Sequence, residues 1–489
     1  MLLEKIEQTK NALREEIKEL LAHENKESAE ESRERGKNLR KKVPRTSHAT
    51  WEPSLYRLNP MDLIKSQETT RVSELLPIRH ERMAASPFAF FRGSAILMAS
   101  DLATTPSTGL NVQACGDAHI SNFGFFQSPE RHLVFDINDF DETARGPWEW
   151  DIKRLATSVE ICGRNRGFSE KERSNAVRAA VESYQTSMLE FSQMKTMDVW
   201  YAHTDVEDFY SQFSGSLSKK TQKNTEKIIL KAKTKNSDRA VLKLTEVVDG
   251  KVRFINQPPL IIPLRNLVEQ QIRREIPDTN LKEREHLIAL VLRKYQESLS
   301  NDKRHLMKQY HGVDIARKVV GVGSVGTRCW IVLLEGLDSN DPLVLQIKEA
   351  QESVLERFTG KSIYKNNGQR VVEGQRAIQA ASDVLLGWTR AVGVDGVARD
   401  YYVRQLWDGK GSINLDTISS KQLTNLAKTC GKTLARSHAR TGNRFAIAGY
   451  LGKSDAFSKA IVQFSKAYAD QNEADYQLFI KEYQANSAS

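Results

Sequence analysis

The chain has 489 residues, of which 39% are hydrophobic and 27% are charged. This length suffices for about two to four domains or for one large two-lobed fold, and the composition excludes fibrous and wholly disordered chains. No uncharged apolar run reaches the ~20 residues that span a bilayer, and the opening MLLEKIEQTK carries acids where a secretory signal is apolar. We therefore expect a cytoplasmic protein that has no membrane partner.

The charges and the cysteines narrow the class further. The 72 Lys and Arg residues exceed the 62 Asp and Glu residues, which gives a formal net charge of +10. This surplus is compatible with binding nucleotide phosphates, but no aromatic-interleaved basic repeat favours nucleic acid as a partner. The cysteines show no paired C-x-x-C spacing, which excludes a disulfide scaffold or a structural zinc site and suits a reducing compartment. They are Cys115, Cys162, Cys329 and Cys430.

The first predicted elements are helical and separated by charged segments. Leucine and isoleucine at three- and four-residue steps predict an amphipathic helix over residues 1–22. Residues 23–45 contain few apolar side chains and predict a solvated arm, with docking onto an acidic partner as the alternative. A capping box predicts a helix over residues 169–195, and the lysine-rich residues 219–235 predict a solvated helix face.

Strands and helices alternate through the rest of the chain. The segment VLKLTEVVDGKVRFI predicts a strand pair that turns at Asp249-Gly250. Further strands are predicted within 317–349 and 400–407, and helices over 281–310, 371–386, 420–440 and 454–485. The pattern is typical of a mixed α+β protein.

A group of acids and an asparagine indicates phosphoryl-transfer chemistry. Asp117 and Asn122 are five residues apart, and a predicted strand over 132–135 leads into Asp136, with Asp139 close behind. Phosphoryl transfer needs one carboxylate for the attacking hydroxyl, and an amide and a second carboxylate to hold Mg²⁺. We predict Asp117 as the catalytic base and Asn122, Asp136 and Asp139 as the metal ligands. Which aspartate is the main ligand stays open.

His119 allows a different interpretation of the same segment. It could act as a general base or metal ligand, although a histidine beside such a site more often packs or hydrogen-bonds. Together with Asp136, Asp139 and Asp141 it could form a metal-dependent hydrolase site. Asp and Asn are also common turn and cap residues, which is the purely structural alternative.

The residues of this segment resemble the catalytic core of the aminoglycoside/choline-kinase-like phosphotransferases. That pattern runs His-Gly-Asp, four residues, Asn, then an apolar strand that ends in Asp, and here CGDAHISNFG is followed by HLVFD. The resemblance continues in GPWEWD, which is followed by Leu155-Ala156. Cys115 departs from the pattern, because it stands where the family usually has His. The resemblance implies a kinase-like fold that uses ATP and Mg²⁺.

A glycine-rich loop lies far downstream between two apolar runs. Such a loop lets backbone N–H groups approach a phosphate, and the strand that follows it favours a kinase-type loop over a dinucleotide-binding one. A plain hairpin is the structural alternative. The predicted phosphate-binding residues are Gly321, Gly323, Ser324 and Gly326.

Lys348 ends the next strand, VLQIK, where a kinase lysine contacts the nucleotide phosphates. Such a lysine needs a carboxylate partner, and we predict Glu373, with Glu352 or Glu356 as alternatives. A solvated lysine at a strand end is the structural alternative.

The order of these motifs predicts a circularly permuted fold. In ordinary kinases the glycine loop and lysine precede the catalytic aspartate, whereas here they follow it. We predict a bilobal, protein-kinase-like α+β fold with the helical catalytic lobe first and the antiparallel-sheet nucleotide lobe second. The expected parts are a helix and arm over 1–50, a helical lobe over 51–312, a nucleotide lobe over 313–415 and completing helices over 416–489.

The chain as a whole resembles the bacterial domain-of-unknown-function 2252 family. The stretches that carry the resemblance are RMAASPFAFFRGSA, CGDAHISNFG, FDINDFDETARGPWEWDIKRLA, GVGSVGTR and GQRAIQAASDVLLGW. The family name implies no activity, so the function is inferred from the residues. We expect an ATP- and Mg²⁺-dependent phosphotransferase that acts on an unidentified small-molecule or protein acceptor. Nucleotidyl (AMP) transfer, a pseudokinase binding module and the hydrolase remain alternatives, and the oligomeric state is open.

Arginines just before the acidic group could bind the acceptor. Arg79, Arg82 and Arg92 precede Asp117, and a fixed guanidinium can hold a phosphate or carboxylate in bidentate fashion. The alternative is that each pairs with a structural acid.

Overall fold

The computed structural model describes Lys10 and residues 27–206, 237–248, 250–267, 281–338, 340–393, 396–406, 409 and 411–488, with the backbone alone for 281–288 and 486–488. The predicted helix over 1–22 and the lysine-rich run over 219–235 lie outside these residues. None of the described helices is long and apolar enough to cross a membrane.

Helices precede, separate and follow the strands along the chain. The helices before the main sheet are α1 (Ala29–Lys42), α2 (Pro60–Glu68), α3 (Leu76–Ala84), α4 (Pro87–Gly93), α5 (Ala95–Leu102), α6 (Trp148–Asn165), α7 (Glu170–Phe191), α8 (Thr196–Tyr201) and α9 (Ser237–Leu244). The later helices are α10 (Leu264–Leu267), α11 (Leu281–Glu297), α12 (Asn301–Met307), α13 (Glu356–Thr359), α14 (Asn367–Ile378), α15 (Ser420–Thr441), α16 (Arg444–Leu451) and α17 (Ala456–Ala488).

Short ladders precede one larger sheet. The strands are β1 (Asn111–Ala114), β2 (Phe123–Gln127), β3 (Leu133–Ile137), β4 (Ala144–Pro147), β5 (Thr245–Val248), β6 (Lys251–Phe254), β7 (Ile261–Pro263), β8 (His311–Lys318), β9 (Cys329–Glu335), β10 (Pro342–Ala350), β11 (Gly387–Val392) and β12 (Ala398–Gln405). The ladders are β1–β4, β2–β3 and β5–β6, and the larger sheet is antiparallel in the order β11-β12-β10-β9-β8-β7. The mixed α+β class and the predicted pairing of the 317–349 strands with the 400–407 strand are confirmed.

Both faces of the sheet are buried, because its central strands carry apolar side chains on both faces. In β9, Val332 and Leu334 belong to a core with Tyr295 of α11, whereas Ile331 and Leu333 belong to a core with α9 and β6. Successive side chains of a strand point to opposite faces, so one strand serves both cores.

The helices share a single large core, which also includes Ala350 and Tyr402 of the main sheet. Trp148 stacks on Tyr184 with ring centroids 5.6 Å apart, and both are fully buried. The C-terminal helices add Leu434, Tyr450 and Phe464 to the same core. Residues that are distant in sequence therefore complete one helical body, and that body carries the loops of the acidic group.

The segment 23–45 is not a solvated arm where the structure describes it, so that prediction is wrong. Ser28 and Glu31 form a capping box that starts α1, and α1 packs along α16. Arg40 and Arg45 donate hydrogen bonds to main-chain oxygens at the end of α16, at 2.8 Å for Tyr450 and 2.6 Å for Leu451. Cations at a helix C-terminus satisfy carbonyls that have no partner within the helix.

Other boundaries differ from the sequence prediction in detail. The helix predicted over 371–386 spans Asn367–Ile378, because the chain turns after it and enters β11. The predicted strand pair at Asp249-Gly250 is present, but its first part forms the end of α9. The main sheet begins with Ile261–Pro263, ahead of the lobe boundary that we expected at residue 313.

The close packing of α1 on α16 depends on glycine, which gives a test. A Cβ at Gly36 would lie 2.0 Å from the main-chain oxygen of Ala446, and a Cβ at Gly449 would lie 2.2 Å from that of Arg33. Although alanine favours an isolated helix, we expect Gly36→Ala to lower the free energy of unfolding by about 1–3 kcal/mol, as overpacking does. Urea denaturation measures this, and exposed Glu34→Ala in the same helix is the control. A variant as stable as the wild type would contradict the described packing.

Candidate active site

The loop after β1 carries Asp117 and is fixed by the first turn of α6. Asp151 accepts hydrogen bonds from the backbone N–H groups of Cys115 and Gly116, at 2.6 and 3.0 Å. Gly116 has a φ of +83°, and a Cβ there would lie 2.1 Å from the main-chain oxygen of Glu142. Only glycine fits this turn without strain. His438 of α15 lies 3.2 Å from Asp151, so the helical body holds the loop from a second side.

Cys115 occupies the position at which the resembling kinases usually have His. Its thiol donates to the main-chain oxygen of Asp139 at 3.6 Å, which links the two acidic loops. Burial, followed by the nearby carboxylate of Asp151, raises the pKa of the Cys115 thiol well above its ordinary value. The thiol is therefore a structural donor and not a nucleophile.

The Asp117 carboxylate faces the cleft and is oriented by an arginine. The Nε of Arg154 donates to Asp117 Oδ1 at 2.6 Å, and the same guanidinium donates to the main-chain oxygen of Phe91. The Asp117 side chain keeps 18% of its surface exposed. One carboxylate oxygen is thus anchored, while the group lines the open cleft.

Asn122 and Asp139 line the same cleft from neighbouring segments. The amide of Asn122 donates to the main-chain oxygen of Asp117 at 2.8 Å, and Asn138 N donates to the main-chain oxygen of Asn122 at 2.8 Å. Burial and the neighbouring Asp141 carboxylate raise the pKa of Asp139. These contacts leave an amide oxygen and a carboxylate facing one space.

Asp136, in contrast, does not line the cleft. It lies within β3 between buried neighbours, and it accepts a hydrogen bond from Arg436 of α15 at 2.6 Å. Asp136 and Arg436 are both almost fully buried, so they form an interior ion pair between β3 and α15. The structure therefore does not bring Asp136 together with Asn122 as a metal ligand, contrary to our expectation.

The predicted glycine loop connects β8 and β9 and lies over the acidic loops. Gly321, Gly323 and Ser324 line the cleft, whose cavity volume is about 120 Å³, together with Asp117, Asn122 and Asp139. The φ values are +49° at Gly321 and +92° at Gly326, which is the left-handed region that favours glycine. The predicted loop and the predicted acids, except Asp136, share one cleft.

Arginines from α3 and from the segment before it hold this loop. Arg82 donates to the main-chain oxygen of Gly321 at 2.7 Å, and Arg79 donates to that of Gly323 at 3.1 Å. Arg71 donates to the main-chain oxygen of Val325. Arg79 and Arg82 therefore position the loop, and neither was predicted to do so.

Lys348 is buried on β10 and forms an ion pair with Asp141, two residues after Asp139. Its partner across the ladder is Tyr402 of β12, whose hydroxyl donates to the other oxygen of Asp141 at 2.8 Å. Ser324 of the glycine loop also donates to Asp141, at 3.1 Å. Burial disfavours both charges, but Lys348 holds the pKa of Asp141 below its usual range and Asp141 raises the pKa of Lys348.

The predicted pair between Lys348 and Glu373 is wrong. Glu373 pairs with Arg376 one turn along α14, at 3.1 Å. The two alternatives are engaged as well, since Glu352 lies 3.5 Å from Lys361 and Glu356 lies 3.1 Å from Arg370. The carboxylate partner of Lys348 is Asp141 instead, because the acidic loop crosses the sheet next to Lys348.

The chemistry of the cleft fits a hard divalent cation bound together with a phosphate. Within the described residues, no group of three or more His, Cys, Asp or Glu side chains is arranged to hold a metal ion. Asn122 and Asp139 supply two oxygen donors, and Mg²⁺ is commonly held by one or two protein oxygens together with phosphate oxygens and water. The residues present therefore fit Mg²⁺ as part of a nucleotide complex.

One comparison with known proteins gives a match. The family model described as "Uncharacterized protein conserved in bacteria (DUF2252)" matches residues 71–482. Comparison with curated proteins and with solved structures gives no match.

The buried pair of Asp136 and Arg436 gives a second test. Asp136→Ala would leave the guanidinium of Arg436 buried without its carboxylate, which costs about 3–5 kcal/mol of the free energy of unfolding. The control is Asp470→Ala, because Asp470 pairs with Arg164 and is 72% exposed, so its loss costs at most about 1 kcal/mol. Urea denaturation compares the two variants. Equal stabilities would contradict the structural role of Asp136.

Proposed function

The chain belongs to the bacterial DUF2252 family, and we propose that it is an ATP- and Mg²⁺-dependent phosphotransferase with a circularly permuted, kinase-like fold. The observation that carries the proposal is the convergence of three elements on Asp141. Lys348 of the sheet, Ser324 of the glycine loop and the acidic loop itself meet there, beside Asp117 and Asn122.

The residues divide into nucleotide-binding and acceptor-activating groups. The amides of the glycine loop and the Lys348 ammonium would bind phosphate oxygens, because the glycine loop lines the cleft and Lys348 is paired with Asp141, which lines it as well. Asn122 and Asp139 would hold Mg²⁺, which neutralises charge on the transferring phosphate when it is bound. The Lys348 ammonium has three N–H donors, so it would contact the phosphates while it stays paired with Asp141.

Asp117 is proposed to accept the proton of the acceptor hydroxyl. Its contact with Arg154 fixes the direction of the carboxylate, so that the group keeps one orientation in the cleft. His119 is an unsuitable base, because burial and the nearby Arg92 lower its pKa well below its ordinary value. A neutral imidazole with such a pKa binds protons weakly.

The proposed permuted lobes have a physical basis in three hydrophobic cores. The sheet packs against α11 in one core and against α9 in another, whereas the acidic loops rest on the core of Trp148 and the C-terminal helices, which also includes Ala350 and Tyr402 of the sheet. The cleft lies where the β8–β9 loop and the end of β10 meet those loops. This arrangement supports a two-lobed nucleotide site whose parts occur in the reverse order along the chain.

The contacts disfavour a hydrolase that uses the acidic group as a metal cluster. Of its four expected residues, Asp136 is paired with Arg436 and Asp141 with Lys348. Such a hydrolase also gives no role to the glycine loop. Nucleotidyl transfer would use the same cleft, so the position of bond cleavage in ATP distinguishes it.

Product analysis tests the proposal without knowledge of the acceptor. With ATP labelled on the α or γ phosphate and Mg²⁺, we expect the γ label to leave as phosphate or phosphorylated product, with ADP as the second product. Asp117→Asn should slow this turnover by about 10²–10⁴-fold, as loss of a general base does, and keep the affinity for a non-hydrolysable ATP analogue. The control is Asp470→Asn, which removes an exposed carboxylate.

Two results would contradict the proposal. Release of pyrophosphate, with the α label retained on the modified acceptor, would indicate nucleotidyl transfer. Failure of the wild-type protein to bind the Mg²⁺–nucleotide complex in calorimetry would exclude an ATP-dependent enzyme.

A further inference from the structure

Arg92 is the cleft arginine whose charge no carboxylate or carbonyl satisfies in the described part of the chain. It lies in the last turn of α4 and lines the cavity together with Asp117 and His119. Its Nε is shielded from solvent and has no hydrogen-bond partner. An arginine in such a position is usually paired, because burying a guanidinium without an anion is costly.

The other arginines around the cleft already have partners. Arg79 and Arg82 donate to carbonyls of the glycine loop, and Arg71 donates to Val325. Arg154 is paired with Asp117. Arg92 is therefore distinguished from its neighbours by its lack of a protein partner, and not by the presence of positive charge alone.

A second group with an unsatisfied polar atom lies in the same cavity. His119 is 3% exposed, and its Nδ1 has no hydrogen-bond partner among the described residues. Its Nε2 lies 3.7 Å from Asp117 Oδ2, which is too long for a hydrogen bond. Buried polar atoms are nearly always satisfied, so an exception in a cleft marks a position at which a ligand or a water molecule can bind.

The position of Arg92 favours the acceptor over the nucleotide as the source of that ligand. Burial lowers the pKa of the Arg92 guanidinium, and Asp117 is the carboxylate that opposes this shift most. Lys348 lies near the end of β10, and its cross-strand neighbour on β12 is Tyr402. Arg92 thus lines the same cavity as the proposed base, whereas Lys348, which we propose to bind phosphates, adjoins the cavity through its ion pair with Asp141.

We propose that Arg92 and His119 form a subsite for an anionic group, a phosphate or a carboxylate, of the acceptor substrate. This inference rests on the proposed phosphotransferase function and adds the charge class of the substrate. An anion held there would receive charge-assisted hydrogen bonds from Arg92 and would place a neighbouring hydroxyl beside Asp117. The acceptor would accordingly be an acid, not a cationic or purely neutral compound.

Calorimetry with inorganic phosphate and with acetate tests the subsite. The probe is added to the full chain saturated with Mg²⁺ and the non-hydrolysable ATP analogue, so that the nucleotide site is occupied. We expect at least one anion to bind, and Arg92→Met to weaken its binding about tenfold or more, as loss of a charge-assisted hydrogen bond does. Arg92→Lys should retain part of the affinity, and Arg178→Met, at an exposed position of α7, should retain all of it.

Thermal unfolding separates the binding role from a structural one. Because Arg92 lacks a partner, we expect Arg92→Met to be at least as stable as the wild type in anion-free buffer and to lose the stabilisation that the anion gives. A large drop in Tm without anion would show that Arg92 supports the fold, and the proposal would be wrong.

Three further outcomes would overturn the inference, and they are distinguishable from failure of the proposed function. Absence of anion binding while the nucleotide binds would remove the subsite alone. A tenfold loss of nucleotide affinity in Arg92→Met would assign Arg92 to the nucleotide phosphates. Arg92-dependent anion binding by a protein that does not bind the nucleotide would refute both phosphotransfer and the assignment to an acceptor.

Discussion

The ion pair between Lys348 and Asp141 joins two parts of the chain that lie 207 residues apart. Without it, β10 would carry a buried and unpaired ammonium, which is costly in the interior, and the acidic loop would lose the cation that holds its partly exposed carboxylate. The pair therefore fixes the position along β10 at which the acidic loop crosses the sheet. The glycine loop is held at the same position, because Ser324 donates to the same carboxylate. The geometry of the cleft depends on this contact.

The carboxylates of the site fall into two groups according to their partners. Asp136 and Asp151 are buried and engaged with groups from α15, namely Arg436 and His438. Asp117 and Asp139 line the cavity. The first group positions loops and the second is available to a ligand. This separation explains how one short acidic segment can hold a fold together and still present reactive oxygens.

Local sequence patterns singled out Asp117, Asn122 and the glycine loop, which line one cleft, and Lys348, whose partner Asp141 lines it. These positions could be found because turn residues and strand ends are set by nearby residues. The partner of Lys348 could not be predicted, since it depends on how the acidic loop crosses the sheet. For two incorrect predictions, the sequence itself indicates the correct structure. Asp136 is flanked by apolar residues inside a strand, which indicates a buried pair, and the capping box that begins at Ser28 indicates the helix that we took for a solvated arm.

The most direct measurement is a crystal structure of the protein with Mg²⁺ and the non-hydrolysable ATP analogue. We expect the phosphates to lie between the glycine loop and Lys348, with the metal on Asn122 and Asp139 and with Asp136 still paired with Arg436. A nucleotide outside this cleft, or a metal held by Asp136 after its pair with Arg436 has opened, would contradict it.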